Sequence, residues 1–470
     1  MPMTTLDHDL KPHHVSDGVR KRLLLVSYHF PPVGGAGVQR PLKFVKYLRR
    51  FGWDATVLMA ANPSVPVFDE SLLADIPSET TLLKARTWEP SYRLKGGATS
   101  SPKSADDSRL KPGIKQRAVG VVRNMLRRTA GILLQPDPQI LWAPNAYREA
   151  CRYLAQVPHD AILATAPSYS NLLLGCHLKH KFGLPLVVDF RDEWDLSSQY
   201  LENSQRDRLS QFVQQRMQRR VLRTADMILA TTKSSTARLQ ERAQQVQSIA
   251  PAECIYNGYD DDDFEDLLSA NAGVYRQNER FRIVYTGTLW NLTSVEPIMM
   301  AMEELQRTDP QLTERIEFVG VGRKTPEQRH LLERMQRTGC RLILKEYCSH
   351  TEALSEMQSA DALCLLLSDL PGAERVAPAK LFEYMALQKP ILAVVPEGET
   401  AGIVRSVWPE HCFTPRETSA LADWLKARAK SPGSLLESIG TDKDRQIYRR
   451  EFQAGQLADV LNRVIASVRI

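Results

Sequence analysis

The chain has 470 residues, a length that allows two or three ordinary domains. Apolar residues make up 43% and charged residues 25%, which excludes a disordered protein. The seven cysteines are dispersed and form no C-x-x-C pair, so the composition predicts neither a zinc ribbon nor a disulfide scaffold. No apolar stretch of 18 residues and no signal peptide is recognisable. We therefore expect a cytoplasmic protein whose mild net charge of +6 suits anionic partners.

The N-terminal part opens with a polar stretch over residues 1–20, which predicts a disordered tail. A strand over Leu23–Ser27 then leads into a loop with Gly34, Gly35 and Gly37, and a helix follows. Such a loop can present backbone N–H groups to an anion at a helix start. A plain flexible loop would give a similar pattern, and the third glycine of a dinucleotide fingerprint is missing.

A basic segment follows at residues 109–134. Between Arg109 and Pro136 there are seven Arg or Lys and no acidic residue. Apolar residues recur at helical spacing among these charges, as in helices that lie on a membrane surface. The same pattern fits an ordinary domain helix packed on a sheet, and the sequence leaves both interpretations open.

Charged residues mark the end of a buried strand predicted over Leu186–Val188. Asp189, Arg191, Asp192 and Trp194 follow it, where doubly wound sheets bind ligands. We predict that these residues line a cleft. The alternative is a structural ion pair between Arg191 and Asp192, with Trp194 in the core. The preceding strand and loop predict Ser168 or Ser170 as a helix cap.

The second half repeats the order strand, glycine loop, helix. A strand over the sequence FRIVYT leads into Gly287 and Thr288, and the next strand leads into a loop that contains Gly322. Thr325 and Gln328 flank Pro326 as a capping box for the helix that follows. This pattern predicts a second doubly wound domain.

Residues 378–395 read as a short helix, a break at Lys389-Pro390 and a buried strand. Glu383 stands between Phe382 and Tyr384 in this apolar helix. A buried or cleft-facing carboxylate needs hydrogen-bond donors, which the hydroxyls of a ribose would supply. The alternative is an exposed Glu383 paired with Lys380 one helical turn away.

The same stretch resembles the donor-site signature of retaining glycosyltransferases of family 4, which have two Rossmann-like domains (GT-B). Their signature is Glu, seven residues, Glu, then a small-residue helix and a strand. Glu383 matches the second Glu, which binds the ribose in the family. Arg375 stands where the first Glu is expected, with Glu374 beside it. The form P-A-K-L-F-E-Y-M-A resembles a branch that builds bacterial surface polysaccharides, and the resemblance covers roughly residues 21–465.

The resemblance implies an α/β fold of two doubly wound Rossmann-like domains that face a cleft. We expect an acceptor-side domain over 21–265, a donor domain over 280–450, and a last helix over 451–470 that crosses back to the first domain. The catalytic residues implied are Glu374, Arg375 and Lys380. Donor binding is expected from Glu383, Gly34, Gly35, Gly37, Gly287, Thr288, Gly322, Arg323, Lys324 and Tyr347. Acceptor or cleft residues are expected to be Ser168, Asp189, Arg191, Asp192 and Trp194.

The function implied is transfer of a sugar, with retention, from a nucleotide-diphosphate sugar to a hydroxyl acceptor, such as a lipid-linked or surface glycan. No cofactor, metal or nucleic acid is expected to take part. An anionic membrane surface is expected to bind through 109–134, which would make the protein peripheral on the inner face of the plasma membrane. Two alternatives stay open at this stage: a nucleotide-sugar epimerase and a non-catalytic scaffold in polysaccharide assembly.

Overall fold

The computed structural model describes residues 20–89, 134–196, 208–264, 279–346, 348, 350–431 and 445–468. They divide into two compact units. The first comprises the chain up to Thr231, then Thr236–Ile255 and the chain from Gln453. The second comprises Thr232–Ser235 and Tyr256–Phe452. The predicted tail and the basic segment up to residue 133 lie outside the described residues.

The first unit contains a seven-stranded parallel sheet in the order β3-β2-β1-β4-β5-β6-β7. Its strands are β1 (Lys21–Val26), β2 (Trp53–Ala60), β3 (Thr81–Ala85), β4 (Ala161–Ala166), β5 (Leu186–Phe190), β6 (Met227–Ala230) and β7 (Ala252–Cys254). The order reverses after β1, because β1 pairs with β2 on one side and β4 on the other. A parallel doubly wound sheet binds ligands at such a reversal, beyond the carboxyl ends of its strands.

The second unit contains a six-stranded parallel sheet in the order β10-β9-β8-β11-β12-β13. Its strands are β8 (Phe281–Thr286), β9 (Ile316–Val321), β10 (Arg341–Lys345), β11 (Ala362–Leu366), β12 (Ile391–Val394) and β13 (Cys412–Phe413). The reversal falls between β8 and β11, which pair directly. Both sheets therefore have the Rossmann-like strand order, and the α/β prediction is confirmed.

Helices connect these parallel strands. They are α1 (Ala36–Leu48), α2 (Ala143–Leu154), α3 (Ser170–Phe182), α4 (Arg208–Thr224), α5 (Lys233–Gln245), α6 (Glu296–Thr308), α7 (Pro310–Thr313), α8 (Pro326–Arg337), α9 (His350–Gln358), α10 (Ala379–Ala386), α11 (Glu399–Val407), α12 (Thr418–Lys430) and α13 (Arg450–Val468). Short 3-10 turns lie at Arg49–Phe51, Glu70–Asp75, Pro138–Leu141, Asp261–Asp263, Ala373–Arg375 and Pro409–His411. None of the helices in the described part of the chain is long and apolar enough to cross a bilayer.

Each sheet is buried on both faces, as the continuous apolar strand sequences predict. In β1, Leu24 and Val26 pack into one cluster with α2, α3 and α4, whereas Leu23 and Leu25 pack into another. That second cluster also contains Leu457 of α13, so the last helix packs within the first unit. Side chains alternate along a strand, and this is why one apolar run supplies both cores.

Candidate functional site

The strand reversal of the second unit is held by Tyr384 of α10. Its hydroxyl donates to the Cys364 carbonyl of β11 at 3.3 Å and accepts from the Thr286 N–H of β8 at 3.4 Å. Tyr384 is fully buried. Helix α10 is thereby anchored on the two strands at which the sheet order reverses. Lys380 and Glu383 lie on the same helix, next to this reversal.

Two glycines follow neighbouring strands on one side of this reversal, Gly287 after β8 and Gly322 after β9. Both have positive φ, 134° and 118°. A Cβ on Gly322 would lie 2.4 Å from the Gly287 carbonyl oxygen. The Gly287 N–H donates to the Val321 carbonyl at 2.7 Å. The two loops pack backbone against backbone, a contact that only glycine allows here.

Lys380 lies against the first of these loops. A Cβ on Gly287 would meet its Cε at 2.4 Å and its Nζ at 3.0 Å. The side chain is half-buried, and it makes no hydrogen bond or ion pair with the residues that the structure describes. Its ammonium group therefore places an uncompensated positive charge at the glycine loop.

Glu383 is half-buried on the same helix. Its carboxylate has no hydrogen-bond or ion-pair partner in the described part of the chain, and the alternative pair with Lys380 is not formed. A carboxylate that is partly removed from water without donors is costly. This arrangement suits a ligand that brings hydroxyl groups.

Glu374 and Arg375 lie in the 3-10 turn after β11 and pair with each other at 2.5 Å. The Glu374 carboxylate also accepts the Gly372 N–H at 2.8 Å. Gly398, before α11, approaches this turn so closely that a Cβ would lie 2.1 Å from the Glu374 carbonyl oxygen. The turn is thus fixed by Gly398, a glycine that no sequence pattern singled out.

The remaining predicted donor residues differ in their availability. Lys324 is buried and donates to the Lys345 carbonyl, and burial lowers the pKa of its ammonium group. Arg323 is exposed and has no hydrogen bond or ion pair among the described residues. The Thr288 carbonyl accepts from the hydroxyls of Tyr285 and Thr293 at 3.0 and 2.6 Å. Tyr347 lies outside the described residues.

The predicted capping box before α8 is half formed. The Thr325 side chain caps the helix by accepting the Gln328 N–H. The Gln328 amide does not return to Thr325, because it accepts the Val295 N–H at 2.9 Å and donates to the Ser294 hydroxyl at 3.0 Å. Gln328 therefore ties α8 to the loop before α6.

In the first unit the glycine loop ends at the start of α1. Gly35 has φ 99° and is the N-cap residue of α1. No side chain among the described residues caps this helix start. A Cβ on Gly35 or Gly37 would meet no atom within 4 Å, so their surroundings are open. The Gly34 N–H is already hydrogen-bonded, because it donates to the Val67 carbonyl at 3.0 Å.

Asp189 is fully buried within β5, which continues to Phe190, so the predicted end of this strand was too early. Its carboxylate accepts two bonds from the Arg40 guanidinium, at 3.1 and 2.9 Å, and one from Thr165 at 2.9 Å. Arg40 is itself only 1% exposed. This pair joins α1 to the sheet, and no sequence pattern singled out Arg40.

Arg191 does not form the ion pair with Asp192 that was the alternative to a cleft-lining role. Its guanidinium donates to the carbonyls of Ala166 at 2.6 Å, Pro167 at 2.8 Å and Gly37. Trp194 is buried and stacks on Tyr169 with ring centroids 4.5 Å apart, as the core interpretation expects. The Asp192 side chain is exposed.

The prediction that Ser168 or Ser170 caps α3 is wrong. The carboxylate of Asp137, 33 residues before Ser170, caps the helix start instead. Asp137 accepts the Ser170 N–H at 3.1 Å and the Ser170 hydroxyl at 2.5 Å. Ser168 is buried in the preceding loop. Asp137 is 1% exposed, and burial raises the pKa of its carboxyl group to about 6.

Comparisons with known proteins agree with this architecture. A family model described as a glycosyl transferase 4-like domain matches residues 34–251. Residues 34–251 of this chain are therefore similar to that family. No curated protein sequence matches it. The resemblance inferred from residues 378–395 lies outside the matched region, so the two observations are independent.

Solved structures of similar fold cover most of this chain. The sucrose-phosphate synthase of Thermosynechococcus elongatus is 16% identical, with TM-score 0.60 over 95% of this chain and 100% of that one. A trehalose-phosphate synthase from Burkholderia vietnamiensis is 12% identical, with TM-score 0.54 over 96% and 100%. An E. coli trehalose-6-phosphate protein bound with UDP-2-fluoro glucose is 12% identical, with TM-score 0.54 over 95% and 98%.

Proposed function

We propose that this protein is a glycosyltransferase that takes its sugar from a nucleotide-diphosphate sugar and transfers it, with retention, to a hydroxyl acceptor. The observation that carries the proposal is Glu383, a half-buried carboxylate without a partner in the described chain, at the strand reversal of a doubly wound sheet. In this role the carboxylate accepts hydrogen bonds from the two ribose hydroxyls of the donor. A bond to a charged acceptor is among the stronger hydrogen bonds in proteins.

The diphosphate of the donor would lie beside the Gly287 loop. Lys380 supplies a positive charge there, and Arg323 supplies a second one from the neighbouring loop. The glycines allow the backbone to approach the phosphates closely. These groups stabilise the negative charge that develops as the sugar leaves, which is the main electrostatic contribution to such a reaction.

The chemical step breaks the bond between the anomeric carbon and the phosphate oxygen and forms one from that carbon to the acceptor oxygen. For retention the acceptor attacks the face that the phosphate leaves. The leaving phosphate oxygen takes the acceptor's proton, so no protein base is required. In the first unit, Gly35, Gly37 and Asp192 are the exposed members of the predicted set and remain candidates for phosphate or acceptor contacts.

Glu374 and Arg375 take a supporting role in this proposal. Arg375 stands at the position of the first signature Glu and is paired with Glu374. The pair, fixed by Gly398, would contact the donor sugar through its exposed carboxylate edge. The 46% exposure of the Glu374 side chain leaves that edge accessible.

A panel of nucleotides and nucleotide sugars tests the proposal. Thermal stabilisation identifies the donor, since a ligand that binds only the folded state raises the melting temperature. The matching donor is then incubated without acceptor, and the released sugar is followed by NMR. We expect slow hydrolysis that releases the donor's own anomer. An altered sugar would show an epimerase, and stabilisation without release of any sugar would show a scaffold.

The acceptor belongs to the same proposal. A lipid-linked or surface glycan would bring the enzyme to the inner face of the plasma membrane. The basic segment 109–134, which lies outside the described residues, is proposed to bind an anionic surface there. Replacing Arg123, Arg127 and Arg128 with Glu should strongly weaken sedimentation with anionic vesicles, because each basic residue contributes about 1 kcal/mol near such a surface. Unchanged sedimentation would contradict this assignment.

A further inference from the structure

Helix α4 (Arg208–Thr224) has an outer face of unusual composition. At about 100° per residue, a sector of about 120° holds two apolar residues and every arginine of the helix. These residues are Arg208, Leu209, Phe212, Arg216, Arg219, Arg220 and Arg223. The helix contains no acidic residue. We call this sector the α4 outer face.

The apolar members of the α4 outer face are exposed. The exposed fraction is 55% for Leu209 and 61% for Phe212, one helical turn apart. The opposite side of the helix already packs on the domain core through Val221 and Leu222. Leu209 and Phe212 therefore contribute nothing to that core, and their exposure is unexplained by the fold of the unit.

The charges on this face are largely uncompensated. The guanidinium groups of Arg208, Arg216, Arg219 and Arg220 form no hydrogen bond or ion pair with residues of the described chain. Arginines near a helix C-terminus favour the helix dipole, which accounts for part of this arrangement. The dipole does not account for Arg208 at the first turn or for the exposed apolar pair.

The positive charge extends to the end of the neighbouring helix α3. Its last turn holds Lys179, His180 and Lys181. Burial lowers the pKa of His177, and Arg220 and His180 lower it further by repulsion. Lys179 is neutralised by Asp226 at 2.6 Å, whereas Arg220 adds to the charge of this area. The α4 outer face is thus one edge of a broader basic surface.

We propose that the α4 outer face docks the first unit on an anionic phospholipid surface, with Leu209 and Phe212 between the lipid headgroups and the arginines on the phosphates. Interfacial helices have this composition, basic and apolar in one sector with low overall hydrophobicity. A nucleic acid would satisfy the arginines and leave the apolar pair exposed to water. The inference rests on the proposed function only in that a membrane-bound acceptor would make docking useful. It concerns a different segment from 109–134.

The charge test compares two single reversals of equal size. Arg219→Glu changes the α4 outer face. Arg50→Glu changes an exposed arginine just after α1, a helix that packs on the other side of the sheet. Sedimentation is measured with vesicles of phosphatidylglycerol and phosphatidylcholine, and with phosphatidylcholine alone. We expect Arg219→Glu to weaken binding to the anionic vesicles at least about fivefold, the equivalent of one basic residue at the surface. Arg50→Glu should leave binding unchanged.

The apolar test replaces Leu209 and Phe212 with serine. Wild type should keep part of its vesicle binding at high salt, where electrostatic attraction is screened. The double variant should lose that part. Absence of wild-type binding, equal effects of Arg219→Glu and Arg50→Glu, or unchanged high-salt binding of the serine variant would each overturn the proposal. Thermal stabilisation by the nucleotide is measured on every variant, so failure of the donor assignment is detected separately.

Discussion

The two Rossmann-like units carry charged residues at the carboxyl ends of their strands, but they use them differently. In the first unit the Asp189 carboxylate accepts hydrogen bonds from Arg40 and Thr165, and the Arg191 guanidinium donates to three backbone carbonyls. In the second unit Lys380 and Glu383 have no partner within the described residues. A charged motif at a strand end is therefore not a ligand site by itself. The site is indicated where polar groups remain unsatisfied after folding.

The largest expected effect is on stability and falls in the first unit. Arg40→Met would leave the fully buried Asp189 carboxylate without its counter-ion. Breaking a buried pair on one side costs about 3–5 kcal/mol. We expect a loss of this size in urea unfolding, and most of it should return in the Arg40→Met/Asp189→Asn double variant.

Lys380→Met is the matched control, because it removes a charge from the corresponding edge of the second sheet. With no ion pair to lose, it should change stability by less than about 0.5 kcal/mol. A stable Arg40→Met protein would contradict the structural role of the charge in the first unit. A strongly destabilised Lys380→Met protein would contradict the absence of such a role in the second unit.

A smaller effect on stability depends on pH. Burial raises the pKa of Asp137 on folding to about 6 from its ordinary value of 3.8. Protonation therefore favours the folded state. This contribution is fully present below the unfolded pKa and is lost as the pH rises through about 6. From the two values the loss is about 3 kcal/mol between pH 3.8 and pH 6.

Asp137→Asn isolates this term. The stability of wild type minus that of the variant should fall as the pH rises from about 4 to about 6.5, whatever the constant cost of the altered cap. Melting temperatures across that range measure it. A difference that stays constant or rises with pH would show that Asp137 titrates normally.

The next effect tests the packed glycine loops of the second unit. Gly322→Ala would place a Cβ 2.4 Å from the Gly287 carbonyl oxygen at a φ of 118°. Strain of this kind costs about 1–3 kcal/mol, and the Gly287 loop must move. We expect a folded protein that is no longer stabilised by the nucleotide. Gly402→Ala, in helix α11 where a Cβ meets no atom within 4 Å, is the control. Equal nucleotide stabilisation in both variants would exclude the loop from the site.

The sequence predicted the regular parts of this molecule well. Helix α10 followed by β12 was recognised from apolar spacing and from the break at Lys389-Pro390. Long-range partners could not be predicted. Arg40 lies 149 residues from Asp189, and Asp137 lies 33 residues from Ser170, so their pairing depends on the folded sheet.

The candidate site was predictable to a similar extent. Glu383 was identified because a carboxylate inside an apolar helix violates the local pattern. Gly398 and Tyr384 were not identified. Their importance comes from a close backbone approach and from bonds to two strands, neither of which has a signature in the sequence.

The smallest expected effect concerns metals. The two side chains proposed to bind the phosphates, Lys380 and Arg323, are both cationic. They can therefore balance the negative charge of the diphosphate. Dialysis against EDTA should leave turnover nearly intact. Complete loss of turnover, restored by manganese or magnesium, would show that an ion has a part in phosphate binding.

The most direct test of the central claim is Glu383→Gln, measured by titration calorimetry with the nucleoside diphosphate of the matching donor. Glutamine keeps the shape and removes the charge. One or two lost bonds of roughly 1.5–3 kcal/mol correspond to a 10- to 1,000-fold effect on affinity and turnover. Glu410→Gln, an exposed change in the same unit, should behave as wild type. The account predicts a folded Glu383→Gln protein with affinity and turnover each reduced at least about tenfold. Values for both within about twofold of wild type would contradict it, since that corresponds to less than one hydrogen bond.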